Sequence, residues 1–153
     1  MSATKAYALT MKDGAAARLE RSLEVKVVTG VNAESVATTT IFTTESDLGS
    51  FCVLDAIFVV TTCDAEPDTP QATVSIGAVS AGYADIIPAT ALQTTYALDR
   101  VEILRANEPD TLGIPTANLL VAASTAIKVN VSVAAVTTGS LVYSVYIRGF
   151  YLG

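Results

Sequence analysis

The sequence predicts an all-β fold, an antiparallel β-sandwich of about eight strands that follows a short N-terminal arm. Segments rich in Val, Ile, Thr and Tyr alternate with clusters of Gly, Pro, Asn and Asp, which is typical of strands joined by turns. Residues 126–135 alternate between apolar and polar side chains, the period of a half-buried strand. After the arm, almost no segment has the apolar spacing of a helix.

The N-terminal arm, residues 1–22, differs in charge from the rest of the chain. Residues 1–26 hold five basic and three acidic side chains, a net charge of +2, whereas the remainder holds four basic and twelve acidic ones, a net −8. Asp13 is suited to cap a short helix over residues 15–21, which would be marginal without packing. Two interpretations stay open: a frayed terminus, or a segment that anchors on an acidic or apolar neighbour.

Residues 23–153 are predicted to form a single domain, because a chain of 153 residues suits one core of ordinary size. Eight main strands would suit a jelly roll. Seven would suit an immunoglobulin-like sandwich, but the chain has no Trp and no Cys pair spaced to bridge two sheets. The predicted strands are 23–29, 36–44, 51–62, 71–79, 91–97, 100–106, 118–122, 126–135 and 140–151.

Two of these strands predict opposite surroundings. In 51–62 both alternating sets of side chains are apolar, so we expect neighbours to cover both faces of this strand, deep in the sandwich. In 126–135 one face is expected to be in water, since the two alternating sets are Ile127, Val129, Val131 and Val133 against Lys128, Asn130 and Ser132.

The last predicted strand, 140–151, carries an arginine among aromatic residues. Tyr146, Arg148 and Phe150 share its outward face, and Tyr151 follows directly. Aromatic residues and Arg are enriched at the centres of protein interfaces. We therefore predict that Tyr146, Arg148, Phe150 and Tyr151 form an interface; the alternative is that Arg148 extends into water from an edge strand.

The composition argues against catalysis, nucleic-acid binding and membrane insertion. The chain has no His, which removes the commonest general base and imidazole metal ligand. A net charge of −6 makes it a poor candidate for binding phosphate backbones. Its mean hydropathy is +0.49, yet its apolar runs, such as 56–60 and 119–123, are far shorter than the about 20 residues of a spanning helix. We expect no enzyme activity, no cofactor, no metal, and apolar surface that is buried against neighbouring proteins.

The two cysteines favour assembly in a reducing compartment. Cys52 and Cys63 stand 11 residues apart around the extended segment 51–62, so their Cα atoms would be separated by about 36 Å at about 3.3 Å per residue. A disulfide needs less than about 7 Å. Free thiols, and a start over residues 1–23 without the apolar centre of an export signal, fit a cytoplasmic site of assembly.

Asp64, Glu66 and Asp68 offer oxygen ligands at alternate positions, as a calcium site would. The run lacks the Gly and the terminal Glu of an EF-hand loop. Residues 66–69 also recur as 108–111, Glu-Pro-Asp-Thr in both places, which is good turn chemistry. Two polar turns are the simpler interpretation.

Two further motifs have a structural and a functional interpretation. Gly77 and Gly82 have the spacing of a phosphate-binding loop, but the Lys that would bind the phosphate is missing. Asp55 lies between apolar neighbours in a predicted strand, where a desolvated carboxyl group sometimes marks an acid catalyst. A carboxylate satisfied within the sheet is the alternative.

The order of features from residue 50 to residue 153 resembles the small jelly-roll capsid decoration, or cement, proteins of tailed bacteriophages. The resemblance lies in residues 72–77 (ATVSIG), 81–87 (AGYADII) and 90–92 (TAL), and in the ending 142–151 (VYSVYIRGFY). It implies a non-enzymatic virion protein on the capsid exterior, a homotrimer bound to the lattice of the major capsid protein, with an N-terminal segment available for anchoring. Residues 1–22 themselves carry no pattern diagnostic of that family.

A carbohydrate-binding jelly roll of a phage tail or fibre is the alternative function. Tyr83, Tyr96 and Tyr146 would then be the platforms on which sugar rings stack. Sugar-binding proteins usually favour Trp for this purpose, and the chain has none.

Overall fold

The computed structural model describes residues 23–63, 70–93, 98–106, 120–135 and 140–152. The predicted arm, the acidic run 64–68 and both copies of the repeated motif, 66–69 and 108–111, lie outside these residues. No helix in the described part of the chain is long and apolar enough to cross a membrane. The described strands are β1 (Glu24–Asn32), β2 (Ala37–Thr43), β3 (Phe51–Thr62), β4 (Thr73–Gly77), β5 (Ile87–Ala91), β6 (Val101–Arg105), β7 (Leu120–Val121), β8 (Ala126–Val133) and β9 (Val142–Tyr151).

The strands form two antiparallel sheets, which confirms the predicted all-β sandwich. The first sheet has the order β1-β9-β3-β6, with the two-residue β7 also paired to β3, and the second has the order β2-β8-β4-β5. In chain order the pairs are nested: β4 with β5, β3 with β6, β2 with β8, and β1 with β9. A long antiparallel hairpin rolled into two sheets in this way, with four long-paired strands in each and the short β7 added to the first, is a jelly roll.

The observed fifth strand differs from the predicted one. The prediction was 91–97, of which residues 94–97 lie outside the described part of the chain, whereas β5 is Ile87–Ala91 and shares only Ala91 with it. Locally, Pro88 disfavours a strand, because proline has no N–H to donate to a ladder. However, β5 lies at the edge of its sheet and pairs only with β4 among the described strands, so the missing donor breaks no second ladder.

The core lies between the inward faces of the two sheets. In β8, Ile127, Val129 and Val131 are buried while Lys128 turns outward, as the alternation predicted. Val133 departs from the prediction, because at the end of the strand it is 41% exposed. The inward side chains of β9 that complete this part of the core are Tyr143, Val145 and Ile147.

The strand β3 has one buried face, which corrects the expectation that both its faces are covered. The register between β3 and β9 shifts between Val53 and Asp55, and a bulge of this kind changes which residues point inward. Val53 therefore faces the core together with Phe58, although they are an odd number of residues apart. On the other face Leu54 is 44% exposed, and Ile57 is half-buried.

The segment 78–86, between β4 and β5, folds back over the outer face of the second sheet. Asp85 stabilises this segment, because its Oδ1 accepts hydrogen bonds from the backbone N–H groups of Ala78 at 2.9 Å and Val79 at 3.0 Å. The carbonyl oxygen of Gly82 accepts one from Ser75 Oγ at 3.1 Å. A Cβ atom at Gly77 would lie 2.2 Å from Asp85 Oδ1. Gly77 and Gly82 thus have a structural role in a tight turn.

We expect Asp85→Ala to lower the free energy of unfolding by about 1–2 kcal/mol, because two backbone N–H groups lose a charged acceptor. Urea denaturation monitored by circular dichroism measures this. Asp47→Ala is the matched control, since Asp47 is exposed at a bend, and it should change stability by less than about 0.5 kcal/mol. Equal effects of the two substitutions would contradict a structural role for Asp85.

Candidate functional site

The outward face of the first sheet is mainly apolar. We call it the outer apolar face. One row crosses all four strands through direct register partners: Val27 in β1, Tyr146 in β9, Ile57 in β3 and Ile103 in β6. Six members of the face are between 44% and 55% exposed. Its residues are Val25, Val27, Cys52, Leu54, Ile57, Val59, Val101, Ile103, Leu120, Tyr146 and Phe150.

The outward face of the second sheet has the opposite character. Thr38 in β2 donates a hydrogen bond to Asn130 Oδ1 of β8 at 2.9 Å. Beside them, the ammonium group of Lys128 lies over the ring of Tyr83, 5.0 Å from its centre. Of the seven exposed Val, Leu and Ile side chains that the described strands carry, six belong to the first sheet and only Val133 belongs to the second. Monomeric proteins rarely leave a contiguous apolar patch of several hundred Å² uncovered, so this asymmetry makes the outer apolar face the candidate functional site.

An ion pair lies within the outer apolar face. Arg148 of β9 and Asp55 of β3 are register partners, and Arg148 Nε donates to Asp55 Oδ1 at 2.8 Å while Arg148 Nη2 donates to Oδ2. Asp55 is only 8% exposed. The hydrogen bond to Asp55 raises the pKa of Arg148 above its ordinary value. Asp55 is thus a carboxylate satisfied within the sheet, the structural one of its two interpretations.

The structure brings three of the four predicted interface residues together. Tyr146, Arg148 and Phe150 lie in successive outward positions of β9, which is an interior strand and not an edge. Tyr151 belongs to the other side. It is 7% exposed, its ring packs edge-on against Phe51 with centroids 4.9 Å apart, and its hydroxyl accepts a hydrogen bond from the N–H of Glu45. Tyr151 is therefore a core residue.

The sequence analysis missed the contribution of β1. Its alternation places Val25 and Val27 opposite Lys26, and the usual rule would turn the valines inward. The reverse is found: the valines are 55% and 47% exposed, and Lys26 lies on the inner side with its Nζ 5.7 Å from the centre of the Phe42 ring. Glu24, 2.7 Å from Lys26 Nζ, satisfies this ammonium group, and their hydrogen bond raises the pKa of Lys26.

The edge strand β6 repeats this inversion. Val101 and Ile103 are 52% and 51% exposed, whereas Glu102, between them, points inward and burial raises its pKa. The Oε2 atom of Glu102 accepts a hydrogen bond from the N–H of Gln93 at 3.3 Å. An acidic residue on the inner side and two aliphatic ones outside are arrangements that a solvated sheet face does not favour. They make the outward residues of β6 part of the same candidate surface.

Both cysteines are free thiols, and they occupy different surroundings. Cys52 belongs to the outer apolar face, where its register partners are Phe150 and Leu120, and burial raises the pKa of its thiol. Cys63 follows β3 and packs against the edge of the core. The chain therefore carries one thiol inside the face and one outside it.

The tyrosines proposed as sugar platforms do not form one site. Tyr83 lies on the outer face of the second sheet, and Tyr146 lies on that of the first. Tyr96 and the candidate calcium ligands fall outside the described residues. Within the described ranges, no group of three or more Cys, Asp or Glu side chains is placed to hold a metal ion.

Comparisons with known proteins add one structural likeness. No protein-family model matches the chain, and no curated protein matches it. Among solved structures, a chain of the capsid of Ralstonia phage GP4 is similar, with 12% sequence identity, coverage of 87% of this chain and 85% of that chain, and a TM-score of 0.46. A likeness at this level carries no argument about function, which we therefore derive from the outer apolar face.

Proposed function

We propose that this chain is a non-enzymatic structural protein of a virion: a decoration, or cement, protein that binds the lattice of the major capsid protein on the outside of a phage head. The observation that supports it best is the concentration of the exposed apolar strand residues on one sheet, which suits a subunit of an assembly. The resemblance of residues 72–92 and 142–151 to phage decoration proteins supports the particular assembly. It also leads us to propose a homotrimer, assembled in the host cytoplasm.

Such a role requires only contact area. Each 100 Å² of apolar surface removed from water contributes about 2.5 kcal/mol. Ordering and association costs consume much of this gain, so useful cementing needs several such patches in each subunit. A protein that links neighbouring capsid subunits would add these contacts in every copy along the shell and so raise its resistance to heat.

The arm is our proposed anchor on the capsid. Residues 1–22 contain four basic and two acidic side chains, whereas the rest of the chain is strongly acidic. The arm can therefore approach an acidic capsid surface that would repel the body. Attraction of this kind is screened by salt, since the Debye length falls to about 8 Å at 0.15 M ionic strength.

The direct test is to mix the purified full chain with capsids assembled without it and to sediment the mixture. We expect the chain to co-sediment at a fixed, saturable ratio to the major capsid protein, and the melting temperature of the capsids to rise. A full-length R18E/R21E variant should bind at least tenfold more weakly, equivalent to about 1.4 kcal/mol, and with a smaller dependence on salt. Its own oligomeric mass should not change. Failure of the unmodified chain to sediment with capsids at low salt would overturn the proposed function.

A further inference from the structure

We infer that the outer apolar face is where copies of this chain pack against one another, so that contact with the capsid is made elsewhere on the molecule. This inference deepens the proposed function and rests on it in one respect, that the chain works as a subunit of an assembly. It names the partner of the face as a second copy of the same chain.

The first reason is the apolar character of the face. Transient interfaces are about as polar as the rest of a protein surface. Permanent interfaces between identical chains are more apolar, and their composition resembles that of a protein core. The central row of the face, Val27, Tyr146, Ile57 and Ile103, contains no charge. A surface of this kind must be covered as soon as the chain folds. A sister copy is present at that moment, whereas an assembled capsid is reached only later.

The second reason is size. Four strands at about 4.8 Å spacing give the face a width of about 19 Å, and the 10 residues of β9 give it a length of about 33 Å at about 3.3 Å each. The product is about 600 Å² before corrugation is counted. A standard interface buries about 800 Å² per partner. The outer apolar face alone is thus close to what one partner contributes to a stable complex.

The third reason is charge. A charge that loses its water where two copies meet is costly unless it has a partner. Arg148 already carries its counter-ion, because Asp55 of the same chain binds its guanidinium group. Arg105 belongs to β6, at the edge of the sheet, where its long side chain can reach water. Another copy of the chain can therefore cover the face without burying an unpaired charge.

The test compares two full-length variants that place the same charge on edge strands of opposite sheets. Ile103→Lys alters the outer apolar face, and Thr38→Lys alters the polar face of the second sheet; both positions are exposed, so the fold should tolerate both. We expect light scattering at a protein concentration of about 10 µM to show the mass of two or three copies for the unmodified chain and for Thr38→Lys. This concentration is roughly at or above the dissociation constants of specific complexes. Ile103→Lys should associate at least tenfold more weakly while keeping its circular dichroism spectrum.

A second measurement needs no substitution. Alkylation of Cys52 should slow at least tenfold between nanomolar and micromolar protein, because association covers it, whereas the rate at Cys63 should not change. A monomeric unmodified chain at 10 µM, or an Ile103→Lys variant that associates normally, would overturn the inference. Capsid binding separates the two proposals: monomers that bind capsids refute this inference and the homotrimer but leave the decoration role standing, and oligomers that do not bind refute the decoration role but leave this inference standing.

Discussion

Replacing Phe51 with alanine is expected to lower the free energy of unfolding by about 3–5 kcal/mol, the usual cost of emptying a buried Phe site. Phe51 is fully buried at the start of β3, and its ring packs edge-on against Phe42 at 5.1 Å and Tyr151 at 4.9 Å between ring centres. The lost contacts bridge both sheets, because Phe42 belongs to the second sheet and Tyr151 to the first. Neither neighbour can move inward without leaving its own strand.

Phe150→Ala is the matched control for this substitution. Phe150 lies on the opposite side of β9 from the core and is half-buried. Urea denaturation at one fixed protein concentration should give a loss at Phe150 that is at least 2 kcal/mol smaller than the loss at Phe51. A fixed concentration is needed because association between copies also stabilises the folded chain. Equal losses would mean that the packing of Phe51 against Phe42 and Tyr151 contributes no more to the unfolding free energy than the half-buried ring of Phe150 does.

Gly149→Ala is expected to lower the free energy of unfolding by about 3 kcal/mol, the upper part of the range for overpacking. A Cβ atom at position 149 would lie 2.2 Å from the carbonyl oxygen of Cys52 and 2.5 Å from Cε1 of Phe51. The carbonyl group belongs to β3, which is paired with β9 along most of its length, so the backbone cannot retreat locally. One extra methyl group therefore strains the central pair of the first sheet.

The sign of this effect makes the measurement decisive. Where space allows, Gly→Ala stabilises a protein by about 0.4–1 kcal/mol, because the unfolded chain loses freedom. A neutral or stabilising Gly149→Ala would thus contradict the close approach of β3 and β9. The double variant Phe51→Ala/Gly149→Ala should lose less unfolding free energy than the sum of the losses of the two single variants. The reason is that removing the Phe51 ring relieves one of the two clashes at position 149.

Local pattern predicted much of the fold. The bounds of β3 were predicted as they are, and β8 and β9 within two residues, because long runs of Val, Ile and Tyr dominate these segments. The error at β5 had a nonlocal cause: whether Pro88 is tolerated depends on the strand lying at a sheet edge, and sheet order cannot be deduced from the strand itself.

The candidate site was predicted only in part, for a related reason. A period of two separates the faces of a strand, but it does not say which face is inward. In β1 and β6 the apolar sets face outward, and in β3 a bulge exchanges the sets midway. Tyr146, Arg148 and Phe150 were predicted as interface residues because an arginine between two aromatic residues on an outward strand face is typical of interfaces. Val27 and Ile103 could be assigned to the site only from the structure, which places them in the same cross-strand row as Tyr146.

The nested strand order also has a temporal consequence during synthesis. β9 lies between β1 and β3, so the middle of the outer apolar face comes from the last of the described strands in chain order. Until β9 has been synthesised, β1 and β3 have no common neighbour, and their exposed side chains do not form one surface. A chain without β9 therefore lacks the surface through which we propose that copies associate.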